Sequence, residues 1–364
     1  MKVSYFRELD GVRAFAALMV MFFHFFQTAD DGSAVVNFLS KIAVFGQTGV
    51  SLFFVLSGFL ITRILIATRD SKNFFSAFYL RRILRIFPLY YLYLILYYFV
   101  LPFVTQSDFA DWGQQFWYWF YLQGFPMTFN WPHAGPDHFW SLAVEEHFYL
   151  FWPILLFYIH PSHISRIIAV IIAIAICLRL FFVYQSYETF YFTFTRMDEL
   201  AMGALIAVLE LKNKLSTSYF NRYLASFLLL ALPLIGLWVW TSGSGILVIQ
   251  VVKYNFISIS FFCILCIILS SKSDSFLNRF LRNRVLFFLG KVSYGLYVYH
   301  PFVYLLYATY TPISNVFLNF AGSFLLTVVI ATMSYYSFET PFLKMKKYFT
   351  YSVSKRSMRS ELIR

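Results

Sequence analysis

The chain has 364 residues; 60% are A, V, I, L, M, F, W, Y or C, and 13% are charged. A soluble domain carries roughly 25% charged and about 45–50% apolar residues. Aromatic residues alone make up 23%, with 47 Phe, 27 Tyr and 8 Trp, and the net charge is +12. These values exclude a disordered chain, a secreted disulfide scaffold and an ordinary soluble enzyme, and leave a membrane protein of many spans.

A spanning helix needs about 20 mostly apolar residues. Such runs fall at 11–28, 47–67, 83–104, 139–159, 165–184, 196–211, 222–241, 250–270, 291–310 and 317–338. The expected fold is therefore all-α, a polytopic membrane helical bundle of about ten transmembrane helices. An even number puts both termini on one side. With that side taken as cytoplasmic, it receives 25 of the 29 Lys and Arg and seven of the 17 acids. This is the bias of the positive-inside rule, and it makes both termini cytoplasmic. A basic surface for nucleic acid is not needed to explain the charge.

The first run lacks a small-residue cleavage site and is read as a retained span. It carries Arg13 and His24, eleven residues apart and so on one helix face, with a rise of roughly 16 Å between them. Asp10 shares that face. His24 is either a hydrogen-bonded packing residue or a reactive group around mid-membrane. At the start of the third run Arg82 and Arg85 stand at i, i+3. They are positive-inside anchors or a fork for phosphate oxygens. The loop 105–138 carries the aromatic stretch Phe116–Tyr121, either an interfacial belt or a platform for an amphipathic acceptor.

The fourth run enters from the outer side with Ser141, Glu145 and Glu146. Glu145 should lie roughly 9 Å deep, near the level of His24, where a carboxylate could orient the imidazole. Arg196, Asp198 and Glu199 open the sixth run, either as a local ion pair or as part of a polar path. Cys263 and Cys266 have C-x-x-C spacing, but no second pair accompanies them and no metal site is expected. His300, before Pro301, sits near the middle of the ninth run. Residues 1–341 form the membrane domain, and 342–364 a basic cytoplasmic tail attracted to anionic lipid.

Charged groups inside spans are expensive, and each is a candidate site. His24, Glu145, Asp198 and His300 fall at mid-to-outer depth; Arg13, Arg82 and Arg85 fall at the cytoplasmic mouth. Such a path suits a transporter or flippase, or an enzyme joining a cytoplasmic donor to an outer acceptor.

Several blocks resemble the acyltransferase-3 family, in order along the chain. Leu9-Asp10-Gly11-Val12-Arg13 through His24 is similar to its first-span signature, and Gly49–Thr62 to its second-span block. Arg82-Ile83-Leu84-Arg85 resembles its Arg-x-x-Arg motif, and Trp140-Ser141-Leu142-Ala143-Val144-Glu145 its Trp-Ser-Leu-x-x-Glu block. Arg196–Leu200 with Gly203, and Ser293–Tyr297 with His300, extend the likeness.

The resemblance implies a multi-pass plasma (inner) membrane enzyme. It would move an acyl group, commonly acetyl, from cytoplasmic acyl-CoA to a hydroxyl of an extracytoplasmic glycan or glycolipid. Such acceptors include O-antigen, exopolysaccharide and peptidoglycan. Some members carry a fused esterase-like domain; the length here predicts a stand-alone membrane member. In this reading His24 is the base, Glu145 orients it, and Ser141 is a candidate oxyanion donor. Arg13, Arg82 and Arg85 hold CoA phosphates, with Asp10, Glu146, Asp198 and His300 as further pore residues. No tightly bound cofactor or metal is called for, and no nucleic-acid partner; acyl-CoA is a substrate.

Overall fold

Backbone polar groups in hydrocarbon must be satisfied within the segment itself, so apolar runs of this length fold as helices. The computed structural model describes residues 5–29, 32–233, 235–236, 247–311, 313 and 315–352, and no strand occurs among them. The long helices are α1 (Glu8–Phe26), α2 (Gly49–Thr68), α3 (Phe74–Ile95), α4 (Trp140–Tyr158) and α5 (Ile164–Tyr184). They continue with α6 (Thr193–Leu211), α7 (Leu247–Ser270), α8 (Ser293–Tyr310) and α9 (Val316–Ser334).

Among the described residues six helical segments are long and apolar enough to cross a membrane: Glu8–Phe26, Ala34–Thr68, Phe74–Thr105, Pro161–Tyr184, Val251–Ser270 and Val316–Tyr348. Helices α4, α6 and α8 are not in that set. They carry the polar residues: Glu145 and Glu146 on α4, Arg196, Asp198 and Glu199 on α6, His300 and a run of tyrosines on α8. The expected span 222–241 is helical from Phe220 and continues through a π-helical turn at Phe227–Ala231; its last part lies outside the described residues.

Burial is inverted relative to a soluble protein. Phe151, Val170, Leu325 and Val329 are exposed, while Arg179, Arg196, Asp198, Glu199 and His300 are all buried. Lipid solvates the apolar rim, so polar groups must find partners inside.

Two close helix crossings set the site. At the first, Gly58 of α2 lies on the Leu200 carbonyl of α6, and Gly203 of α6 lies on the Val55 carbonyl of α2. A Cβ at either glycine would stand 1.9 Å from that oxygen. Small residues allow this approach, which membrane helices use in place of a hydrophobic drive. Gly203→Leu should therefore force α2 and α6 apart and lower the folded yield several-fold, read as the monodisperse fraction on size-exclusion chromatography in detergent.

The second crossing fixes the N-terminal end of α1. Gly290, in the short helix Arg284–Lys291, meets the Asp10 carbonyl, and Gly11 meets the Leu281 carbonyl. Arg282 adds an ion pair to Glu8 at 2.9 Å. Arg13, one turn further on, is thereby held at a defined place.

Helix α3 begins at Phe74, nine residues before the predicted start at 83, so Arg82 and Arg85 lie more than two turns inside it. Residues 342–352, counted with the tail, lie against it. A short helix Thr340–Met345 leads into a strap in which Arg81 donates to the carbonyl of Lys346 at 3.0 Å, and Asn73 donates to that of Thr350 at 2.9 Å. Ser352 donates back to Asn73 Oδ1 at 2.8 Å.

Candidate active site

A cavity of about 240 Å³ runs between α1, α2, α3, α4 and α8. Its cations are Arg13, Arg82, Arg85 and Lys346. Its carboxylates are Glu145 and Glu146, and its apolar wall includes Leu60, Ile61 and Ile64. Ser141 and Tyr297 also line it.

Arg13 is paired to Asp10 at 2.6 Å, and the Tyr5 hydroxyl also donates to Asp10. Arg82, Arg85 and Lys346 make no ion pair with a carboxylate among the described residues. Arg82 Nε is buried without a hydrogen-bond partner, as is Oε1 of Glu146. A buried guanidinium nitrogen costs free energy unless something accepts from it. Basic side chains so placed, with one unsatisfied donor, offer the chemistry that an oxyanion requires.

Ser141 and Tyr297 hydrogen-bond to each other, and Tyr297 also donates to the His138 carbonyl at 2.6 Å. The ring of Tyr297 is 5.8 Å from that of His300, one turn along α8. Nε2 of His300 lies 2.8 Å from Nδ1 of His24 across the α1–α8 contact. His300 is fully buried, whereas His24 is partly exposed.

The sequence reading gave Glu145 the task of orienting His24. Glu145 instead accepts from Ser57 of α2, at 2.6 Å, and the partner of His24 is His300. Glu145 and Glu146 remain in the cavity, beside the arginines. Asp198 does not line it. Arg179 of α5 grips Asp198 through two bonds of 3.1 and 2.8 Å, and Asn255 of α7 completes the cluster at 2.9 Å. Arg196 pairs with Glu199 at 3.0 Å and lies over the Tyr254 ring, 4.1 Å from its centroid.

The Arg179–Asp198 pair ties α6 to α5, whereas the Arg196–Glu199 pair lies within α6 and reaches α2 through the bond from Arg196 to Ser51 at 3.3 Å; neither Asp198 nor Arg196 is a cavity residue. Removing one partner of a buried pair strands the other charge, so Asp198→Ala should cost about 3–5 kcal/mol. A fall in the detergent unfolding temperature, not restored by acyl-CoA, is the expected reading. The isolated Arg179 within an apolar run was the sequence signal for this node.

Two cavity features escaped the sequence reading. Lys346 falls in the segment counted as tail and reaches the mouth because Arg81 anchors the strap. Tyr297 closes the block Ser293–Tyr297, but nothing in that block gives it a role.

The loop 105–138 forms short helices at Trp112–Trp119 and Gly124–Phe129. Tyr90 and Tyr98 of the α3 segment donate to the carbonyls of Tyr118 and Ala134, both at 2.7 Å. Tyr118 and Tyr121 are buried, while Trp112, Phe116 and Phe120 stay exposed.

The fold and site define a helical membrane protein with a cation-lined cavity reaching toward a paired histidine. The family model described as an acyltransferase domain matches residues 6–336, and the chain belongs to the acyltransferase-3 family. A Bacillus subtilis (strain 168) protein named as a peptidoglycan O-acetyltransferase, YrhL, is 30% identical over 93% of this chain and 55% of its own length. The O-acetyltransferase OatA of Staphylococcus aureus (strain NCTC 8325 / PS 47) is 28% identical over 93% of this chain and 57% of its own. The chain thus spans little more than half the length of the curated relatives it matches. No solved structure matches it.

Proposed function

We propose that this chain is a plasma-membrane O-acetyltransferase that carries an acetyl group from cytoplasmic acetyl-CoA to a hydroxyl of an extracytoplasmic glycan. The observation that carries the reading is the cavity, with Arg13, Arg82, Arg85 and Lys346 among its walls and its Tyr297 wall one turn from His300, the hydrogen-bond partner of His24. In this reading the bundle has about ten spans and both termini in the cytoplasm, which puts the arginines on the donor's side. Pockets for drug-sized ligands run about 300–1,000 Å³. A cavity of about 240 Å³ therefore suits the linear acyl-pantetheine arm, with the phosphates left at the cationic mouth.

A sugar hydroxyl is a poor nucleophile near neutral pH and needs a base. His24 takes the hydroxyl proton as the oxygen attacks the thioester carbon. The new C–O ester bond forms, the C–S bond breaks, and the CoA thiolate leaves with the proton. Names of relatives that refer to peptidoglycan O-acetylation support a glycan acceptor. The test is transfer of labelled acetyl from acetyl-CoA to lipid-linked peptidoglycan precursors or O-antigen by purified protein in liposomes. Transport of a glycan at the same rate without acetyl-CoA, and no label transferred, would favour a flippase instead.

A further inference from the structure

An imidazole has two nitrogens, and in the neutral ring only one of them can accept a proton. We infer that His300 decides which one it is: it holds His24 as the Nδ1–H tautomer and leaves Nε2 as the basic nitrogen. The tautomer follows from the hydrogen bonds alone. That the proton received is the acceptor hydroxyl's rests on the acetyl-transfer reading above.

The polarity of the chain of bonds is set at its far end. A backbone carbonyl only accepts. Nδ1 of His300 lies 3.0 Å from the Leu296 carbonyl and therefore carries a hydrogen and donates it. Nε2 of neutral His300 is then an acceptor. It lies 2.8 Å from Nδ1 of His24, so His24 must donate from Nδ1. The lone pair of neutral His24 is left on Nε2, the nitrogen that points away from His300.

The surroundings keep this arrangement in place. His300 is buried in α8, and both its bonds run to groups on rigid helices. His138 lies 5.6 Å from it, ring to ring, but its own Nε2 donates to the Val298 carbonyl at 3.2 Å and does not compete. Tyr297, Tyr304 and Phe23 supply the remaining ring contacts to the pair. Among the described residues no carboxylate ion-pairs with either ring. When His24 takes a proton on Nε2, its Nδ1–H bond to His300 becomes charge-assisted and strengthens. His300 is thus a positioning residue that fixes the base and steadies its cation. No carboxylate holds the proton, which is free to leave with the thiolate.

The test compares His300→Leu, which can neither accept nor donate, with His300→Gln, whose amide can accept from His24 and donate to Leu296. In liposomes, His300→Leu should lower kcat for acetyl transfer about 100-fold. KM for acetyl-CoA should stay within about twofold, because the mouth is untouched. His300→Gln should recover to within about tenfold of the wild-type kcat. In a His24→Ala background His300→Leu should cost nothing further. Equal loss in the Leu and Gln variants, tracking the amount of folded protein, would mean a packing role and would overturn the inference. So would a His300→Leu enzyme with wild-type kcat. If the wild type moves no acetyl at all, the acetyl-transfer reading fails, and 15N-histidine NMR still decides the tautomer. His24 as Nδ1–H in the wild type, lost in His300→Leu, supports the inference; Nε2–H in the wild type ends it.

Discussion

His24→Ala should abolish acetyl transfer while protein still reaches the membrane at wild-type levels. General-base catalysis contributes about 10²–10⁴-fold, and a hydroxyl nucleophile has no other means of losing its proton here. The substitution removes no packing that the fold depends on: His24 is partly exposed, and its hydrogen bond runs to a ring that keeps a second bond to Leu296. KM for acetyl-CoA should therefore barely move, since Arg13, Arg82, Arg85 and Lys346 are untouched. His24→Gln should fail as well, because an amide can accept a hydrogen bond from the hydroxyl but cannot take its proton at neutral pH. Transfer by either variant within tenfold of wild type would remove His24 from the chemistry.

The sequence exposes the parts of this site that follow from one helix at a time. Arg13 and His24 share a face of α1 because eleven residues make close to three turns. Arg82 and Arg85 face one cavity because i and i+3 are neighbours. The blocks that carry the family likeness include the cavity arginines and the two histidines that meet across α1 and α8. What periodicity does not encode is which helices touch. Depth alone put Glu145 beside His24, but α4 turns Glu145 toward Ser57 of α2, and it is α8 that brings His300 to α1, 276 positions away in sequence. Asp198 had the same depth and polarity as a pore residue. Its partner, Arg179, was visible as a charge inside an apolar run, yet only the packing of α5 on α6 joins the two. Lys346 was hidden for a different reason. A basic run after the last span reads as tail, and only the backbone carbonyls that Arg81 captures turn it inward.

Arg82→Ala with Arg85→Ala should raise KM for acetyl-CoA about 100-fold or more, with a much smaller change in kcat at saturation. Hydrogen bonds to charged groups are worth about 1.5–3 kcal/mol each, which is roughly 10- to 150-fold per arginine. The phosphates are remote from the reacting carbonyl, so this binding is shared by ground state and transition state and appears in KM. Arg82 is the stronger of the two candidates, because its Nε is buried with nothing to accept from it. Lysine at both positions should rescue only in part, since an ammonium supplies charge without the bidentate fork. Added salt should weaken the wild type more than the double variant, because part of the attraction is screened at the open mouth. The alternative is that the two arginines merely anchor α3 to the cytoplasmic interface. An anchor would lower the amount of inserted protein and leave KM per inserted molecule unchanged, which steady-state kinetics normalised to liposome-incorporated protein would reveal.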